Sequence, residues 1–369
     1  MHIDSPESTI RFSHSGLEEF SARVFEQTGF SPQAAARSAQ MLVRADLRAV
    51  DSHGVARLSG YVRLLEAGRI NPRPSFSWKS RFPALWHLDA DRAIGFESAN
   101  AAMAKAVEVA SGLGMAAVAV SDSNHFGIAG QYALMAAQAG MVGIAMTNAS
   151  PLVAPTHSTE RLLGTNPVAV AFPAPPGCKP FVLDMATTTA ANGKLEILQR
   201  KKESAPHGWI QDDAGNPVSD PHALKKGGAL LPLGGTPDAG SHKGYGLGAV
   251  VDLLSGVLSG ANFGPWVPPF VSFLPLLDPL VGKGLGHFFL CFRVDGFMST
   301  EDFARRMEIW GNRFRGAAAL PGRQVQVPGD PEWEAEAERS SHGIPLLLPV
   351  IEDLKTLSSR FNIPFPDPC

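Results

Sequence analysis

Between residues 84 and 148, short apolar runs alternate with amphipathic stretches, and this alternation limits the folds open to the chain. The runs ALWHLDA, MAAVAVSDS and VGIAMTN are short and rich in small or branched residues, as is typical of buried strands. The stretches between them, 96–111 and 128–139, repeat apolar residues at helical spacing. Strand–helix–strand units of this kind predict an α/β fold, in which helices cover a buried sheet.

Similar patterns extend to both sides of this region. Further strands are predicted near 168–186 and 285–294, and further helices at 15–47, 189–201, 245–259, 299–315, 330–342 and 350–361. Residues 203–244 are rich in glycine, proline and aspartate, which indicates either a functional or a loosely ordered segment. The apolar segment 266–285 contains four prolines, so we expect a buried or partner-facing loop and no membrane helix.

The usual dinucleotide fingerprint is missing. The run GLGMAA has the G-x-G-x-x-A spacing, but it follows a predicted helix and precedes a strand, the wrong order for placing a phosphate on a helix N-terminus. We therefore interpret Gly112 and Gly114 as a helix end and a turn. Motifs of kinases, zinc proteases and α/β-hydrolases are also missing, and no metal-ligand cluster appears.

Charge and cysteine content limit the partners and the compartment. The net charge of −3 does not favour nucleic acid. The three cysteines are not paired in sequence, which suits a reducing compartment. The first residues, MHIDSPESTIRFSHSG, do not resemble a signal peptide, so we expect a cytoplasmic protein.

The segment RAVDSHGVAR contains the parts needed for acid–base chemistry on a carboxylate. The imidazole of His53 can exchange a proton near neutral pH, and Arg48 or Arg57 can hold a carboxylate through two parallel hydrogen bonds. The alternative is a helix-end cluster, in which Asp51 and Ser52 cap the helix and the arginines are solvated. The segment alone leaves both interpretations open.

Four more segments place polar groups where strands and helices meet. In SDSNHFG a strand gives way to a helix, and ligands of α/β proteins gather at such strand ends. The second segment is LLGTNP. The third, DMATTT, supplies hydroxyls that could donate to phosphate or cap a helix. In SHKGYG, a lysine at a helix start favours anions, unless it is solvated in a mobile loop.

Taken together, these segments resemble one family. ADLRAVDSHGVAR, SDSNHFGIAG, LLGTNPVAVAFP, FVLDMATTTAANGK, HKGYGL and PGDPEWEAE follow one another as in the malate/L-lactate dehydrogenase family of the second type. That family is unrelated to the Rossmann dehydrogenases of the same substrates. It also includes sulfolactate, ureidoglycolate and diketogulonate oxidoreductases and reductases of cyclic imino acids.

The resemblance implies a mixed sheet with flanking helices that binds NAD or NADP without the glycine fingerprint. It also implies a smaller, mostly helical lobe built from both termini, and a homodimer with active sites near the subunit interface. The expected domains are 1–80, an N-terminal helical lobe with the catalytic loop; 81–297, the cofactor-binding sheet domain; and 298–369, helices that return to the lobe.

The resemblance also assigns roles to residues at matching positions. His53 becomes the proton donor or acceptor, supported by Ser52, although some relatives use the histidine at His125 instead. Arg57 and Arg48 would bind the substrate carboxylate, and Thr165 would touch the substrate. The residues assigned to the cofactor are His125, Phe126, Gly127, Ile128, Ala129, Asp184, Met185, Ala186, Lys243, Gly244, Pro328, Gly329, Asp330 and Glu332.

Two departures from the family pattern bear on the substrate. The usual Tyr-Lys-Gly-Tyr run is His242-Lys243-Gly244-Tyr245 here, and Lys194 stands where certain imine reductases carry an aspartate. The second departure weakens the imine-reductase interpretation. We therefore expect oxidation of a small 2-hydroxy acid, malate before lactate. The alternatives are reduction of cyclic imino acids, a ureidoglycolate dehydrogenase, and a catalytically silent binding protein.

Overall fold

A computed structural model describes residues 9–369 of the chain. Its strands are β1 (Thr9–Phe12), β2 (Ser77–Phe82), β3 (Leu85–Asp89), β4 (Met115–Ser123), β5 (Met141–Thr147), β6 (Val168–Phe172), β7 (Phe181–Met185), β8 (Ile210–Gln211), β9 (Pro217–Val218), β10 (Ala229–Leu230), β11 (Leu285–Arg293) and β12 (Ile344–Leu347). Its α-helices are α1 (His14–Gln27), α2 (Pro32–Leu47), α3 (Leu58–Glu66), α4 (Gly95–Leu113), α5 (Gly130–Gln138), α6 (Asn192–Lys201), α7 (Ser241–Asp252), α8 (Thr300–Arg315), α9 (Asp330–His342) and α10 (Leu348–Phe361).

The described residues form two compact units, and the unit boundaries fall at Pro74/Ser75 and at Gly329/Asp330. The predicted boundaries were 80 and 297, which would place α8 with the terminal helices. α8 instead belongs to the larger unit, where the ring of Trp310 meets that of Phe181 on β7 edge to face at 5.8 Å.

The larger unit is built around a seven-stranded mixed sheet with the order β2-β3-β4-β11-β5-β6-β7. The β3–β4 pair is parallel, and the other neighbouring pairs in this sheet are antiparallel. α4 packs against β4 and β11, whereas α5 packs against β5 and β6. The predicted α/β class, with a mixed sheet and flanking helices, is confirmed.

Strand β11 lies between β4 and β5, although it comes much later in the chain. It runs antiparallel to both, so β4 and β5 run in the same direction on either side of it. Because β3 is parallel to β4, the carboxyl ends of β3, β4 and β5 lie at one edge of the sheet. Ligands of open α/β sheets bind at an edge of this kind.

The smaller unit is mainly helical, and a serine caps the start of each of its first two helices. Ser13 and Ser31 each accept a hydrogen bond from a backbone N–H in the first turn, and Pro32 occupies the first position of α2. β1 pairs antiparallel with β12, with Thr9 opposite Leu347. The unit combines residues 9–74 with residues 330–369, which confirms the mostly helical lobe built from both termini.

Other local features agree with the sequence or refine it. α4 ends at Gly114, whose φ of 87° is left-handed, so GLG is a helix end and not a cofactor fingerprint. Residues 203–244 are ordered: β8, β9 and β10 form a small sheet whose Ile210 and Leu230 belong to an apolar core. Strands β1, β2 and β12 were not predicted. β2 is mostly exposed, so its sequence lacks a buried pattern.

The apolar segment 266–285 does not form a membrane helix. Over residues 9–369, every helix is too short or too polar to cross a bilayer. The segment begins at the last residue of a 3₁₀ turn, Gly264–Trp266, and exposes Leu276 and Val281.

His287 lies on β11 in the centre of the sheet and is completely buried. Its Nε2 is 2.7 Å from the hydroxyl of Ser123 on β4, and its Nδ1 is 2.7 Å from that of Thr147 on β5. Its ring stacks on Phe126. Burial lowers the pKa of His287 from 6.5 to about 3, so the imidazole is neutral in the folded protein above that pH.

This buried imidazole predicts acid sensitivity. Below pH 6.5 the unfolded chain binds a proton at His287 that the folded chain does not bind, so stability falls as the pH falls. Between pH 7 and pH 5, proton binding at His287 in the unfolded chain lowers the free energy of unfolding by about 2 kcal/mol. In His287→Gln, the drop in unfolding free energy over this interval, measured by urea denaturation, is expected to shrink by that amount. The exposed control His207→Gln should keep the full drop, and an unchanged drop in His287→Gln would contradict the assignment.

Candidate active site

The segment ADLRAVDSHGVAR forms the end of α2 and a tight loop in the smaller unit. The helix stops where Ala49 adopts a φ of 57°, and the N–H of Val50 turns back to the carbonyl of Ala45 at 2.8 Å. Two 3₁₀ turns follow, Asp51–His53 and Val55–Arg57, and α3 then begins. The predicted substrate loop is therefore compact and helical in character.

Hydrogen bonds connect Ser52, His53 and Arg57 within this loop. The hydroxyl of Ser52 lies 2.8 Å from His53 Nδ1, and Arg57 Nε donates to the Ser52 carbonyl at 2.6 Å. When Nδ1–H donates to Ser52, Nε2 carries the lone pair of a base; when Ser52 donates, Nε2 carries the proton of an acid. The Ser52–His53 pair can thus serve either direction of a proton transfer.

The electrostatics of the loop keep His53 neutral. Burial, and after it the positive charge of Arg57, lower the pKa of His53 from 6.5 to about 3. At neutral pH the imidazole can therefore accept a proton, as a general base must. A carboxylate bound to Arg57 would offset the positive charge of Arg57 and so raise the pKa of His53.

Arg48 is held by the protein itself. Its side chain is 5% exposed, its Nη1 donates to Glu336 at 2.8 Å, and its guanidinium lies 4.2 Å from the ring of Trp333. Burial lowers the pKa of Arg48, and Glu336 partly offsets that effect. These contacts tie the end of α2 to α9, and the substrate contact of Arg48 stays a prediction.

In the larger unit, SDSNHFG follows β4 at the carboxyl edge of the sheet. The ring of His125 lies 4.8 Å from that of Phe270. Phe126 is fully buried, and Tyr132 donates its hydroxyl to the Phe126 carbonyl at 2.5 Å. Gly127 has a φ of 75°, and a Cβ there would lie 2.7 Å from the Phe96 ring, so glycine is required. Ile128 and Ala129, which follow, are buried and lead into α5.

Asp184 lies at the end of β7, where it caps α5. Its Oδ2 accepts a hydrogen bond from the N–H of Gly130 at 2.7 Å, a favourable position for a carboxylate beside a helix N-terminus. The N–H of Val182 donates to the Pro328 carbonyl at 3.1 Å. β7, with Met185 at its end, therefore lies directly beside the start of the PGDPE segment, and Ala186 follows that strand.

The segment LGTNP contacts DMATTT and α7. The hydroxyl of Thr187 donates to the carbonyls of Thr165 and Asn166, both at 3.1 Å. Asn166 is fully buried and donates its side-chain amide to the Gly248 carbonyl at 3.0 Å. Three segments that are distant in sequence are therefore joined by direct hydrogen bonds.

The start of α7 suits an anion. Lys243 is exposed in the first turn, and the preceding Gly240 has a φ of 93°. Gly244 permits close packing, because a Cβ there would lie 2.3 Å from the backbone nitrogen of Leu233. A cation beside the N-terminus of a 12-residue helix fits a phosphate.

The predicted residues divide between the two units. The smaller unit contains Arg48, Ser52, His53, Arg57, Asp330 and Glu332, and the larger unit contains His125–Ala129, Thr165, Asp184–Ala186, Lys243, Gly244, Pro328 and Gly329. Sequence reasoning missed Asp46, Phe270 and Arg339. Asp46 stands in the recognised ADLRAVD segment, whereas Arg339 has no local signal in the sequence.

Comparisons with known proteins agree with this arrangement. Residues 12–355 match the family model described as malate/L-lactate dehydrogenase. The chain belongs to this family. A malate dehydrogenase of Pyrococcus abyssi is 38% identical over 359 residues, covering 97% of this chain and 96% of that protein. The structure of malate dehydrogenase from Pyrococcus horikoshii OT3 superposes with a TM-score of 0.88 at 36% identity, covering 99% of both chains.

A more distant member of the malate/L-lactate dehydrogenase family carries a different name. The structure of Δ1-piperideine-2-carboxylate reductase from Pseudomonas syringae pvar. tomato has a TM-score of 0.79 at 29% identity, covering 94% of this chain and 99% of that one. The family resemblance is confirmed. This chain is a dehydrogenase, and membership of the family implies a nicotinamide cofactor.

The cap of α5 by Asp184 can be tested by a pair of variants. Asp184→Ala should lower the free energy of unfolding by about 1 kcal/mol, because the N–H of Gly130 loses its acceptor. Asp184→Asn keeps an acceptor oxygen and should lose less. Urea denaturation measures both, with the exposed Asp213→Ala as control. Equal losses in the two Asp184 variants would exclude the acceptor as the stabilising feature.

Proposed function

We propose that this dehydrogenase oxidises a small L-2-hydroxy acid, malate before lactate, to the 2-oxo acid, with NAD or NADP. The observation that carries the proposal is the Ser52–His53–Arg57 loop, which combines a neutral imidazole with a guanidinium suited to a carboxylate. The Pyrococcus malate dehydrogenases support malate as the first substrate.

The proton chemistry follows from the loop. Arg57 binds the substrate carboxylate, and the bound charge raises the pKa of His53. His53 Nε2 removes the hydroxyl proton while Nδ1–H donates to Ser52. In the reverse direction His53 returns this proton to the oxo oxygen.

A bound nicotinamide would supply the hydride chemistry at the substrate carbon. Residues of the larger unit fit such a cofactor. Lys243 and the start of α7 suit phosphate, and the segments of Asp184 and Pro328, which are joined by the hydrogen bond from the N–H of Val182 to the Pro328 carbonyl, are proposed cofactor contacts. In the smaller unit, Asp330 and Glu332 belong to the first turn of α9 and are proposed cofactor contacts.

A reductase of cyclic imino acids or a ureidoglycolate dehydrogenase is the second candidate. The piperideine-carboxylate reductase favours it, and Lys194 in place of an aspartate opposes it. The deciding experiment is a steady-state panel of malate, lactate, ureidoglycolate and piperideine-2-carboxylate with both cofactors. Preference for piperideine-2-carboxylate or ureidoglycolate would contradict the proposal that malate is the substrate.

A catalytically silent binding protein is the candidate from another class. It predicts that NADH and NADPH neither bind nor are consumed. Thermal unfolding with and without each nucleotide is the test, because a ligand that binds the folded chain raises the Tm.

We propose a cytoplasmic homodimer that binds neither nucleic acid nor membranes. The described cysteines, Cys178, Cys291 and Cys369, are free, which supports a reducing compartment. An exposed apolar stripe runs along α7 and the turn after it. Its residues are Leu247, Val250, Leu253, Val257 and Leu258. A second subunit would cover apolar surface of this kind, and sedimentation equilibrium tests the dimer.

The roles of His53 and His125 are distinguished by a matched pair of variants. His53→Asn should lower single-turnover hydride transfer by about 10²–10⁴-fold with little change in cofactor Kd. His125→Asn should mainly weaken cofactor binding, because its loop is assigned to the cofactor. If His125→Asn loses chemistry with its cofactor affinity intact while His53→Asn stays near wild type, the two roles are reversed.

Arg57 is tested by a substitution that keeps its charge. Arg57→Lys should raise KM and lower kcat/KM for malate by about 10-fold or more, because a point charge replaces a two-pronged donor. The new side chain also lacks the Nε that donates to Ser52. Arg63→Lys, on α3, is the control. Unchanged kinetics in Arg57→Lys would remove this residue from the site.

A further inference from the structure

Asp46 is a carboxylate in an unfavourable position. It lies in the last turn of α2 and is 1% exposed. Burial disfavours its charge, and so does the negative end of the helix dipole. Burial first, and then the nearby Asp51, raise the pKa of Asp46 well above its usual range. A buried carboxyl group that is this unfavourable for stability is expected to have a compensating role.

The side chain of Asp46 binds the backbone at the end of the Ser52–His53–Gly54 turn. Asp46 Oδ2 accepts a hydrogen bond from the N–H of Val55 at 2.8 Å, directly after the Ser52–His53–Gly54 turn. A Cβ on Gly54 would lie 1.9 Å from Asp46 Oδ1. This contact with the Asp46 carboxyl leaves no room for a side chain at Gly54.

A buried arginine supports the same arrangement from α9. Arg339 is 7% exposed, and its Nη1 donates to the Asp46 carbonyl at 2.5 Å. The same guanidinium forms an ion pair with Asp51, at the start of the loop. Both ends of the loop are therefore anchored, Asp51 by Arg339 and Val55 by Asp46.

We propose that Asp46 is a positioning residue that sets the place of the His53 imidazole through the backbone of Gly54 and Val55. The inference rests on the proposed function of His53 as the proton-transfer group. The loop needs such an anchor, because 3₁₀ turns have poorer hydrogen-bond geometry than an α-helix. A displacement of about 1 Å at a reacting group can cost on the order of 10²-fold in rate.

The test compares Asp46→Asn with Asp46→Ala. The amide of Asn keeps an acceptor for the N–H of Val55, so hydride transfer should stay within about 3-fold of wild type. Asp46→Ala should lose on the order of 10²-fold in kcat, with cofactor Kd unchanged. Ser38→Ala is the matched control, because Ser38 is buried on the same helix and its hydroxyl has no hydrogen-bond partner within residues 9–369. A folded Asp46→Ala with the wild-type rate, or with a parallel loss of cofactor affinity, would overturn the proposal.

Gly54→Ala keeps the proposal testable even if Asp46→Ala folds poorly. The added methyl group meets the Asp46 carboxyl, so this variant should also lose on the order of 10²-fold in kcat. In the double variant Asp46→Ala/Gly54→Ala the methyl group enters the vacated space, so the two losses should not add. Additive losses would contradict the contact.

A readout without turnover separates this inference from the proposed function. In NMR titrations, with the His53 signal identified by its loss in His53→Asn, the imidazole should titrate far below pH 6.5 in wild type and in Asp46→Asn. In Asp46→Ala the displaced ring should titrate closer to pH 6.5. If His53→Asn keeps full turnover, the proposed role of His53 fails, and the titration still decides whether Asp46 positions the ring. An unmoved titration in Asp46→Ala would refute the positioning.

Discussion

The insertion of β11 between β4 and β5 is the constraint on which the larger unit depends. Its backbone pairs with both neighbours, and the side chain of His287 joins the hydroxyls of Ser123 and Thr147 across all three strands. The carboxyl ends of β4 and β5 are thereby fixed at one edge, where the SNHFG segment begins. Stacking of His287 on Phe126 extends this support into the loop that carries His125.

Both units contain an imidazole that is neutral at pH 7, but the two serve different purposes. His287 stabilises the centre of the sheet, where a charge could not be solvated. His53 lies beside Arg57, whose charge adds to the effect of burial on the pKa. In the proposed function, a carboxylate bound to Arg57 would offset that charge and raise the pKa of His53.

Much of the candidate site was visible in the sequence because its motifs are local. Ser52, His53 and Arg57 lie within one short segment, and the structure joins them by hydrogen bonds, as adjacency suggested. Arg48 shows the limit of such reasoning. Its substrate contact stays a prediction, whereas the structure shows its guanidinium paired with Glu336 on α9, a contact that no local pattern indicates.

The sequence by itself determined the α/β class, the end of α4 at Gly114 and the family, because periodicity, helix-end signals and motifs depend on neighbouring residues. Only the tertiary structure decided that β11 separates β4 from β5, that Arg339 reaches Asp51, and that the Asp46 carboxyl excludes a side chain at Gly54. The strand order and the Arg339 contact join residues far apart in the chain, and the Gly54 contact depends on how the loop turns back on α2. Packing in three dimensions selects such contacts, and hydrophobic periodicity carries no information about them.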